Sequence, residues 1–345
     1  MNITVIGIDL AKAVFQVHGV DERGKPVLRK QLKRKDVASF FANLEPCLIG
    51  MEACGSAHYW ASKLAELGHT VRLMAPQFVK PYVKTNKSDR NDAEAICEAV
   101  SRPNMRFVPV KTAEMQAVLA LHRARQGFVK ARTAQANQIR GLLAEFGIVI
   151  PKGIGHIAKR LPEILEDGEN GLPGMMRHLL ERLGGQLKEL DRQVGELEQQ
   201  IKLWHRENES SRKLEAIAGI GPIIASAFVA SVGDAKNFKN ARQVQAWLGM
   251  VPRHEGTGGR TTLGRISKRG DAYLRTLLIH GARAVITQFQ RKPDQPEGWL
   301  KRLLARRNKN IAAVALAAKN VRIAWALLAH ERSYQRDYVA SRPAA

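Results

Sequence analysis

The chain has 345 residues, 45% of them hydrophobic and 25% charged, as in a folded protein with a substantial core. The 55 Lys+Arg and 32 Asp+Glu residues give a net charge of +23, which predicts a polyanionic partner, most simply nucleic acid. No uninterrupted apolar run approaches the ~18 residues that span a membrane, and no signal-type segment opens the sequence. We therefore expect a cytoplasmic, nucleoid-associated protein with no membrane partner.

The three cysteines, Cys47, Cys54 and Cys97, form no C-x-x-C pair and no Cys/His ligand spacing. This pattern is typical of a reducing compartment and argues against a structural zinc site. We expect each cysteine to be a small buried hydrophobic residue.

Residues 1–108 have the pattern of an α/β domain. The β-rich runs ITVIGID, FQVHGVD and PVLRKQL, joined by short turns, predict an antiparallel meander. The helix KDVASFFANL, the strand CLIGME, the helix SAHYWASKLAELG, the strand HTVRLMA and a helix from Asp89 to Val100 follow. This order predicts a mixed sheet in which parallel strands are added through helical crossovers.

Residues 109–210 are predicted to be helical. A long, basic, amphipathic helix covers 111–147, and the Gly/Pro-rich stretch PKGIGHIAKRLP then predicts a break. The next helix has apolar residues at near-heptad spacing, including Leu187, Leu190, Val194, Leu197 and Ile201. The two helices predict either an antiparallel helical hairpin or an intermolecular coiled coil.

Residues 211–332 are predicted to form a mostly α-helical domain, and 333–345 a frayed tail. The stretch LEAIAGIGPIIASAFVASVG has the pattern of a helix-hairpin-helix, in which Gly219 and Gly221 let backbone N–H groups approach a phosphate. The alternative is an ordinary αα-hairpin that packs in a core.

The segment 247–285 combines glycines, hydroxyl groups and positive charge, and it predicts a flexible Gly-rich loop that binds phosphate. The alternative is a passive DNA clamp, which composition alone favours. We expect the two histidines here, His254 and His280, to be polar surface residues. The candidate nucleic-acid-binding residues of this segment are Arg253, Arg260, Arg265, Lys268 and Arg269.

Four acidic residues stand where a sheet-based nuclease would hold them. Asp9 and Glu52 end predicted strands, while Asp89 and Asp92 open a predicted helix. Asp89 and Asp92 are three apart on one helix face, so their repulsion requires a positive charge between them: a lysine, an arginine or a divalent metal. Taken singly, each acid has ordinary alternatives as a cap or an ion-pair residue. Taken together, they predict a carboxylate site for Mg²⁺ or Mn²⁺.

These motifs together resemble a known family. The stretches GIDLAK, GMEACGS, KSDRNDAEAI, GIGP, WLGMVPR and GRISKRGDAYLR are similar to those of the DEDD transposases of the IS110 family. The TGGRTTLGRISKRGD stretch most resembles the IS1111 branch, whose relatives include Piv-type DNA invertases. The resemblance runs from residue 3 to about 330.

The resemblance implies an N-terminal RuvC-like domain with the RNase H fold, a coiled-coil segment that helps to assemble protomers, and a C-terminal transposase domain. It assigns Asp9, Glu52, Asp89 and Asp92 as the four metal-binding acids. The family also uses a serine nucleophile five residues after the proline of its P-R motif. Here that position is Thr257, so Thr257 is the nucleophile, Ser267 replaces it, or this copy is impaired.

The resemblance also implies guidance by a structured non-coding bridge RNA that pairs with donor and target DNA. It further implies dimers that pair into a tetramer, with active sites shared between protomers. Two other functions are compatible with the residues themselves. One is a RuvC-like junction nuclease that uses metal-bound water, and the other is a non-catalytic, architectural nucleic-acid-binding protein.

Overall fold

A computed structural model describes residues 2–84, 88–291 and 297–335. The chain divides into two compact units, Met1–Met115 and Gln116–Ala345. Lys87 and the part of the predicted frayed tail from 336 onward lie outside the described residues.

The N-terminal unit is built on one mixed sheet. Its strands are β1 (Val5–Leu10), β2 (Val14–Val20), β3 (Pro26–Lys33), β4 (Leu48–Glu52), β5 (Thr70–Met74) and β6 (Phe107–Val108). The spatial order is β3-β2-β1-β4-β5-β6. The first three strands are antiparallel, β4 and β5 are parallel to β1, and β6 is antiparallel to β5. The predicted mixed sheet is confirmed, and β6 is an addition to it.

Helices cover both faces of this sheet. They are α1 (Val37–Ala42), α2 (Ala57–Glu66), α3 (Pro76–Val79) and α4 (Asp89–Val100). Ile6 and Ile8 lie on the same face of β1 and pack in a buried cluster with Phe41 of α1 and Trp60 of α2. Because side chains alternate along a strand, the residue between them, Gly7, faces the opposite side, where α4 lies.

From residue 113 onward the described chain is mostly helical. Its helices are α5 (Ala113–Ala144), α6 (Ile154–Glu166), α7 (Gly174–Glu207), α8 (Glu209–Glu215), α9 (Pro222–Val232), α10 (Ala241–Trp247), α11 (Ala272–Arg291), α12 (Trp299–Arg306) and α13 (Lys309–Ala329). A two-stranded hairpin, β7 (Pro252–Thr257) with β8 (Arg260–Ile266), interrupts them.

The two longest helices, α5 and α7, run antiparallel within this chain. Arg125 of α5 pairs with Glu198 of α7, and Arg132, two turns further along α5, pairs with Asp191, two turns earlier along α7. This opposite progression is the geometry of an antiparallel helical pair, one of the two arrangements that the sequence predicts. An intermolecular coiled coil is a matter for the assembled protein and stays a prediction.

The predicted Gly/Pro-rich break over 151–162 is wrong from Ile154 onward, because α6 begins there and runs through Pro162. Proline cannot donate the helical hydrogen bond, which disfavours the interior of a helix. Here Ile157, Leu161 and Ile164 form one apolar face that is buried in a cluster with residues of α5 and α7. The burial of this face outweighs the lost hydrogen bond.

The core of the C-terminal unit lies around α9, α11 and α13. Helix α13 is long and apolar enough to cross a membrane by length and composition, but a core helix of a folded protein meets the same criteria. Its Ala317, Val321 and Ala324 are fully buried in this core. We therefore assign α13 to the core.

Cys47 and Cys97 are buried, as predicted. Cys54 is exposed, so the prediction of a buried hydrophobic residue is wrong at this position. The reason is local, because Cys54 lies two residues after the end of β4, in the connection to α2 at the edge of the sheet.

Candidate active site

Two of the predicted acids lie at the same edge of the sheet. Asp9 is the penultimate residue of β1, and Glu52 is the last residue of β4. The two strands are parallel, and their register pairs Ile8 with Met51, the residues directly before the two acids. Both acids are half-buried, so their carboxylates lie at the rim of the core.

A pair of glycines lets α4 approach this edge. Gly7 of β1 and Gly50 of β4 are register partners, and both face α4. A Cβ at Gly7 would lie 2.3 Å from the carbonyl oxygen of Ala93, and one at Gly50 would lie 2.7 Å from Val100 Cβ. No side chain fits in this space, so α4 packs directly on the backbones of the two strands. The sequence signal is a glycine two residues before each acid, in VIGID and LIGME.

The other two acids occupy the first turn of α4. Ser88 is the N-cap, and its hydroxyl accepts a hydrogen bond from the backbone N–H of Asn91 at 3.3 Å. Asp89 and Asp92 lie in the turn that follows, where the helix dipole favours negative charge. The predicted helix from Asp89 to Val100 is therefore present with these bounds.

Three carboxylates meet at one point. One oxygen each from Asp9, Asp89 and Asp92 lies within 4.8 Å of the others. Asp9 and Asp92 are half-buried and Asp89 is exposed. Carboxylate oxygens at this separation, open on one side to solvent, fit a hard divalent cation such as Mg²⁺ or Mn²⁺.

Among the described residues, Glu52 lies outside this group of three. It is nevertheless a neighbour, because the charges of Glu52 and Asp9 both act on Cys54. Partial desolvation of the Cys54 thiol, and then these two negative charges, raise its pKa. The fourth predicted metal ligand therefore lies at the same edge, beside the other three.

Lys84 is one candidate for the positive charge that would offset the repulsion between Asp89 and Asp92. The ammonium group of Lys84 lies 2.8 Å from the carboxylate of Glu98, near the other end of α4. That hydrogen bond raises the pKa of Lys84 and lowers the pKa of Glu98. Lys84 thus balances Glu98 rather than the two aspartates.

The predicted flexible loop around Thr257 is wrong, because this stretch forms the β7–β8 hairpin. The turn residues Gly258 and Gly259 have φ angles of +57° and +78°. Positive φ at both central positions is the mark of a tight two-residue hairpin turn, which glycine adopts without strain. Thr257 and Arg260 are the register pair that closes this turn, so the Thr257 hydroxyl lies at the tip.

The base of the hairpin is tightly built. A Cβ at Gly249 would lie 2.0 Å from the Arg269 carbonyl oxygen, and a Cβ at Gly270 would lie 1.9 Å from the Trp247 carbonyl oxygen. The backbone N–H of Ser267 donates a hydrogen bond to the Val251 carbonyl oxygen, and that of Lys268 donates one to the Gly249 carbonyl oxygen. The alternative hydroxyl, Ser267, therefore lies in a close-packed base and Thr257 at an open tip.

Apart from this base, the hairpin is exposed on both faces. Every residue of β7 is exposed, and so is every residue of β8 except its last. His254 and His280 are also exposed, in agreement with their predicted surface placement. Such a ribbon has no core of its own and presents positive charge to a ligand. All five predicted basic residues are exposed: Arg253, Arg260, Arg265, Lys268 and Arg269.

The two glycines of the GIGP stretch have different surroundings. A Cβ at Gly219 would lie 2.9 Å from the Gly281 carbonyl oxygen of α11, so Gly219 allows close packing. Gly221 is the N-cap of α9, and a Cβ there would meet no atom within 4 Å. Close packing on α11 accounts for Gly219, and phosphate contact at either glycine stays a prediction.

The sequence reasoning missed a buried histidine network in the C-terminal unit. His122 of α5 lies 3.0 Å from the Tyr273 hydroxyl of α11 and 3.0 Å from the Ser226 hydroxyl of α9. Burial, and then the charge of Arg125, lower the pKa of His122 to about 4. A neutral imidazole therefore joins three helices of this unit. A histidine on the apolar face of a predicted helix is the only sequence signal for it.

Two family models match the chain. Residues 211–296 match the model described as "Transposase IS116/IS110/IS902 family", and residues 6–148 match a transposase model of the IS110 DEDD type. The second match covers all four predicted acids, and the first covers the hairpin.

Similar proteins cover nearly the whole chain. A "probable family 20 transposase" of Pseudomonas aeruginosa is 56% identical over 97% of this chain and 99% of its own length. The transposase for insertion sequence element IS1111A of Coxiella burnetii is 44% identical over 97% of this chain and 92% of its own length. The transposase for element IS1328 of Yersinia enterocolitica is 43% identical over 94% of this chain and 96% of its own length.

Proposed function

The chain belongs to the IS110 family of insertion-sequence transposases, enzymes that cleave and rejoin DNA, and we propose a specific mechanism for this member. It is a Mg²⁺-dependent, RNA-guided recombinase that cleaves DNA through a covalent ester to Thr257. The observation that carries the proposal is the convergence of Asp9, Asp89 and Asp92 within 4.8 Å.

The carboxylates supply the metal-binding half of the site. Asp9, Asp89 and Asp92 would hold the divalent cation, with Glu52 beside them at the end of β4. When bound, Mg²⁺ or Mn²⁺ lowers the pKa of a coordinated hydroxyl and offsets charge that develops on a phosphodiester. The chain's own contribution is geometric, because the buried strands and α4 hold the acids in place before substrate arrives.

Thr257 supplies the nucleophile. Its Oγ attacks a DNA phosphorus atom, its proton passes to a base in solution, and the phosphorus–oxygen bond to the leaving strand breaks. The leaving oxygen takes up a proton and becomes a free hydroxyl. The bond energy is conserved in the threonine–phosphate ester, so the hydroxyl of another strand can attack that ester and rejoin DNA without ATP.

The basic residues of the hairpin position the phosphates. Arg253 lies on β7 with Thr257, and Arg260 lies opposite Thr257 across the turn. Lys268 and Arg269 lie at the base of the hairpin. Guanidinium groups bind phosphate oxygens with paired, charge-assisted hydrogen bonds and stabilise charge in the transition state. Arg265, exposed on β8, adds to this positive charge, and the half-buried N-cap Gly221 would offer backbone N–H groups to a phosphate.

Family membership and the positive charge support the proposed partners and organisation. Residues 1–108 are the RuvC-like catalytic domain, 109–210 the coiled-coil segment and 211–332 the transposase domain. A bridge RNA pairs with donor and target DNA while the protein, with its net charge of +23, binds backbone and duplex shape. Dimers pair into a tetramer that joins the acids of one protomer to Thr257 of another, on DNA in the cytoplasm.

A cleavage assay tests the metal-binding half. Purified protein, RNA from the element's flank, donor DNA and target DNA are incubated with Mg²⁺ or with EDTA. We expect Asp9→Asn and Asp89→Asn to lower cleavage at least about a hundredfold, as EDTA does, without lowering the melting temperature. Glu45→Gln, which neutralises an exposed acid of the same unit, is the matched control and should cleave normally. Normal cleavage by Asp9→Asn would refute the proposed metal site and favour an architectural protein with a contaminating nuclease.

A further inference from the structure

A basic cleft of about 500 Å³ lies in the N-terminal unit beside the carboxylates. The turn after β1, the residue that follows β3 and the start of α2 form its wall. Its lining residues are Leu10, Ala11, Lys12, Arg34, Cys54, Gly55 and Ser56. None of the roles proposed above uses this cleft.

The cleft and the carboxylates share one edge of the sheet. Leu10 directly follows Asp9 on β1, and Cys54 follows Glu52 after one intervening residue. A ligand in the cleft would therefore contact the basic residues Lys12 and Arg34, while the part of the ligand next to it reaches the acids.

Arg34 is held in position at this cleft by aromatic rings. Phe15 and Trp60 form an edge-to-face pair with centroids 5.2 Å apart. The Arg34 guanidinium lies 5.7 Å from the centroid of Phe15 and 5.5 Å from that of Trp60. Held beside the two rings, the guanidinium keeps its forked donors available and loses less rotamer entropy when it binds an anion.

Lys12 and Ser56 complete the polar wall. Lys12 lies exposed in the turn between β1 and β2. Ser56 has a φ angle of +65°, a left-handed conformation that is uncommon for residues other than glycine. Although Ser56 is the N-cap of α2, its side chain makes no capping hydrogen bond. The hydroxyl is thus not committed to the helix and can serve a ligand in the cleft.

We infer that Arg34 and Lys12 form a phosphate-binding subsite, which holds a backbone phosphodiester of the DNA strand that enters the carboxylate site. This inference rests on the proposed function. A strand directed at three carboxylates meets strong repulsion, and two cations at the adjacent cleft offset it. The subsite would hold the phosphate next to the one that reacts and so set the register of the strand.

The test is the salt dependence of DNA binding by the full chain in EDTA, where no chemistry occurs. Affinity for a short fluorescein-labelled DNA duplex is measured by anisotropy between about 50 and 200 mM salt. We expect Arg34→Gln and Lys12→Gln each to reduce the slope of log affinity against log salt by about one, the effect of one lost phosphate contact. Arg23→Gln, an exposed arginine in the β2–β3 turn, is the matched control for charge and should leave the slope unchanged.

Two further arms separate other outcomes. Arg34→Lys keeps the charge and should restore the slope, which a purely structural role of Arg34 would not predict. An RNA duplex of the same sequence is run in parallel, and a reduced slope for RNA alone would overturn the assignment to DNA. Slopes for Arg34→Gln and Lys12→Gln equal to that of Arg23→Gln would overturn the subsite altogether. Absence of Mg²⁺-dependent cleavage by the wild type, with the slopes reduced as expected, would instead refute the proposed function and leave the subsite standing.

Discussion

The carboxylate edge of the N-terminal unit and the β7–β8 hairpin of the C-terminal unit carry the two halves of the proposed chemistry, and they are built in opposite ways. Asp9 and Glu52 extend from buried strands, and α4 is packed on Gly7 and Gly50 with no space for a side chain. The hairpin has no such support, because its strands are exposed from Thr257 to the base.

This difference indicates how each half meets its ligand. A metal site needs carboxylates held at fixed distances, and rigid strands and helices provide them. A nucleophile that must reach a DNA phosphate needs access, and an exposed two-stranded ribbon with a close-packed base provides it. We therefore expect changes under the carboxylates to affect folding and activity together, and changes in the hairpin to affect DNA binding and activity alone.

The largest effect is expected at Gly7. In Gly7→Ala the new methyl group would lie 2.3 Å from backbone atoms of Ala93 and Cys97, so α4 must move and carry Asp89 and Asp92 away from Asp9. We predict a loss of about 3 kcal/mol in the free energy of unfolding, together with loss of cleavage. Chemical denaturation and the cleavage assay measure the two effects.

The control for this prediction is Gly195→Ala in α7, where a Cβ meets no atom within 4 Å. That change should stabilise the protein by up to about 1 kcal/mol, because alanine favours the helix. If Gly7→Ala and Gly195→Ala had equal effects on stability, the close packing of α4 would not be what holds the acids.

A pH dependence is expected from His122, which belongs to the buried part of the C-terminal unit. Its pKa is about 4 in the folded protein and near 6.5 when unfolded, so the unfolded state binds the extra proton between these values. Stability from this group is complete above pH 6.5 and is lost as pH falls toward 4. Between pH 7 and 5 we predict a loss of roughly 2 kcal/mol, which His122→Gln should remove. An unchanged pH slope in His122→Gln would assign the acid sensitivity to other groups, such as His18.

The smallest effect on stability is expected in the hairpin. Arg253→Gln should leave the melting temperature unchanged, because the residue is exposed and its strand adds little to the core. It should weaken DNA binding and reduce the salt slope by about one. Arg182→Gln, at an exposed position of α7, is the matched control. A large drop in melting temperature for Arg253→Gln would show that the hairpin stabilises the core, and would contradict the view that the hairpin affects only DNA binding and activity.

The sheet could be predicted from the sequence because its strands are runs of β-branched and apolar residues with clear turns between them. The acids could be predicted because each stands at a strand end or a helix start. The hairpin could not, because PRHEGT and RTTLGRI lack the alternation of a half-buried strand and are held by two glycines. Helix α6 could not be predicted because Pro162 argues against a helix. The apolar face of α6 stabilises the helix only by packing against the neighbouring helices.

The same limit applies to the close approach of α4. A glycine in a strand is a weak local signal, and only tertiary packing shows that Gly7 and Gly50 are register partners beneath one helix. Likewise, Arg34 is one of many basic residues in the sequence. Its position over Phe15 and Trp60 depends on the pairing of β1, β2 and β3 with α2.

The most direct test of the central claim, a hydroxyl at the hairpin tip that attacks DNA, is covalent trapping. Protein, the element's RNA, donor and target DNA and Mg²⁺ are mixed, and the products are separated on a denaturing gel. We predict a protease-sensitive protein–DNA adduct with wild type, Thr257→Ser and Ser267→Ala, and none with Thr257→Ala. Strand cleavage without an adduct in any lane would contradict the account and identify a nuclease that uses water.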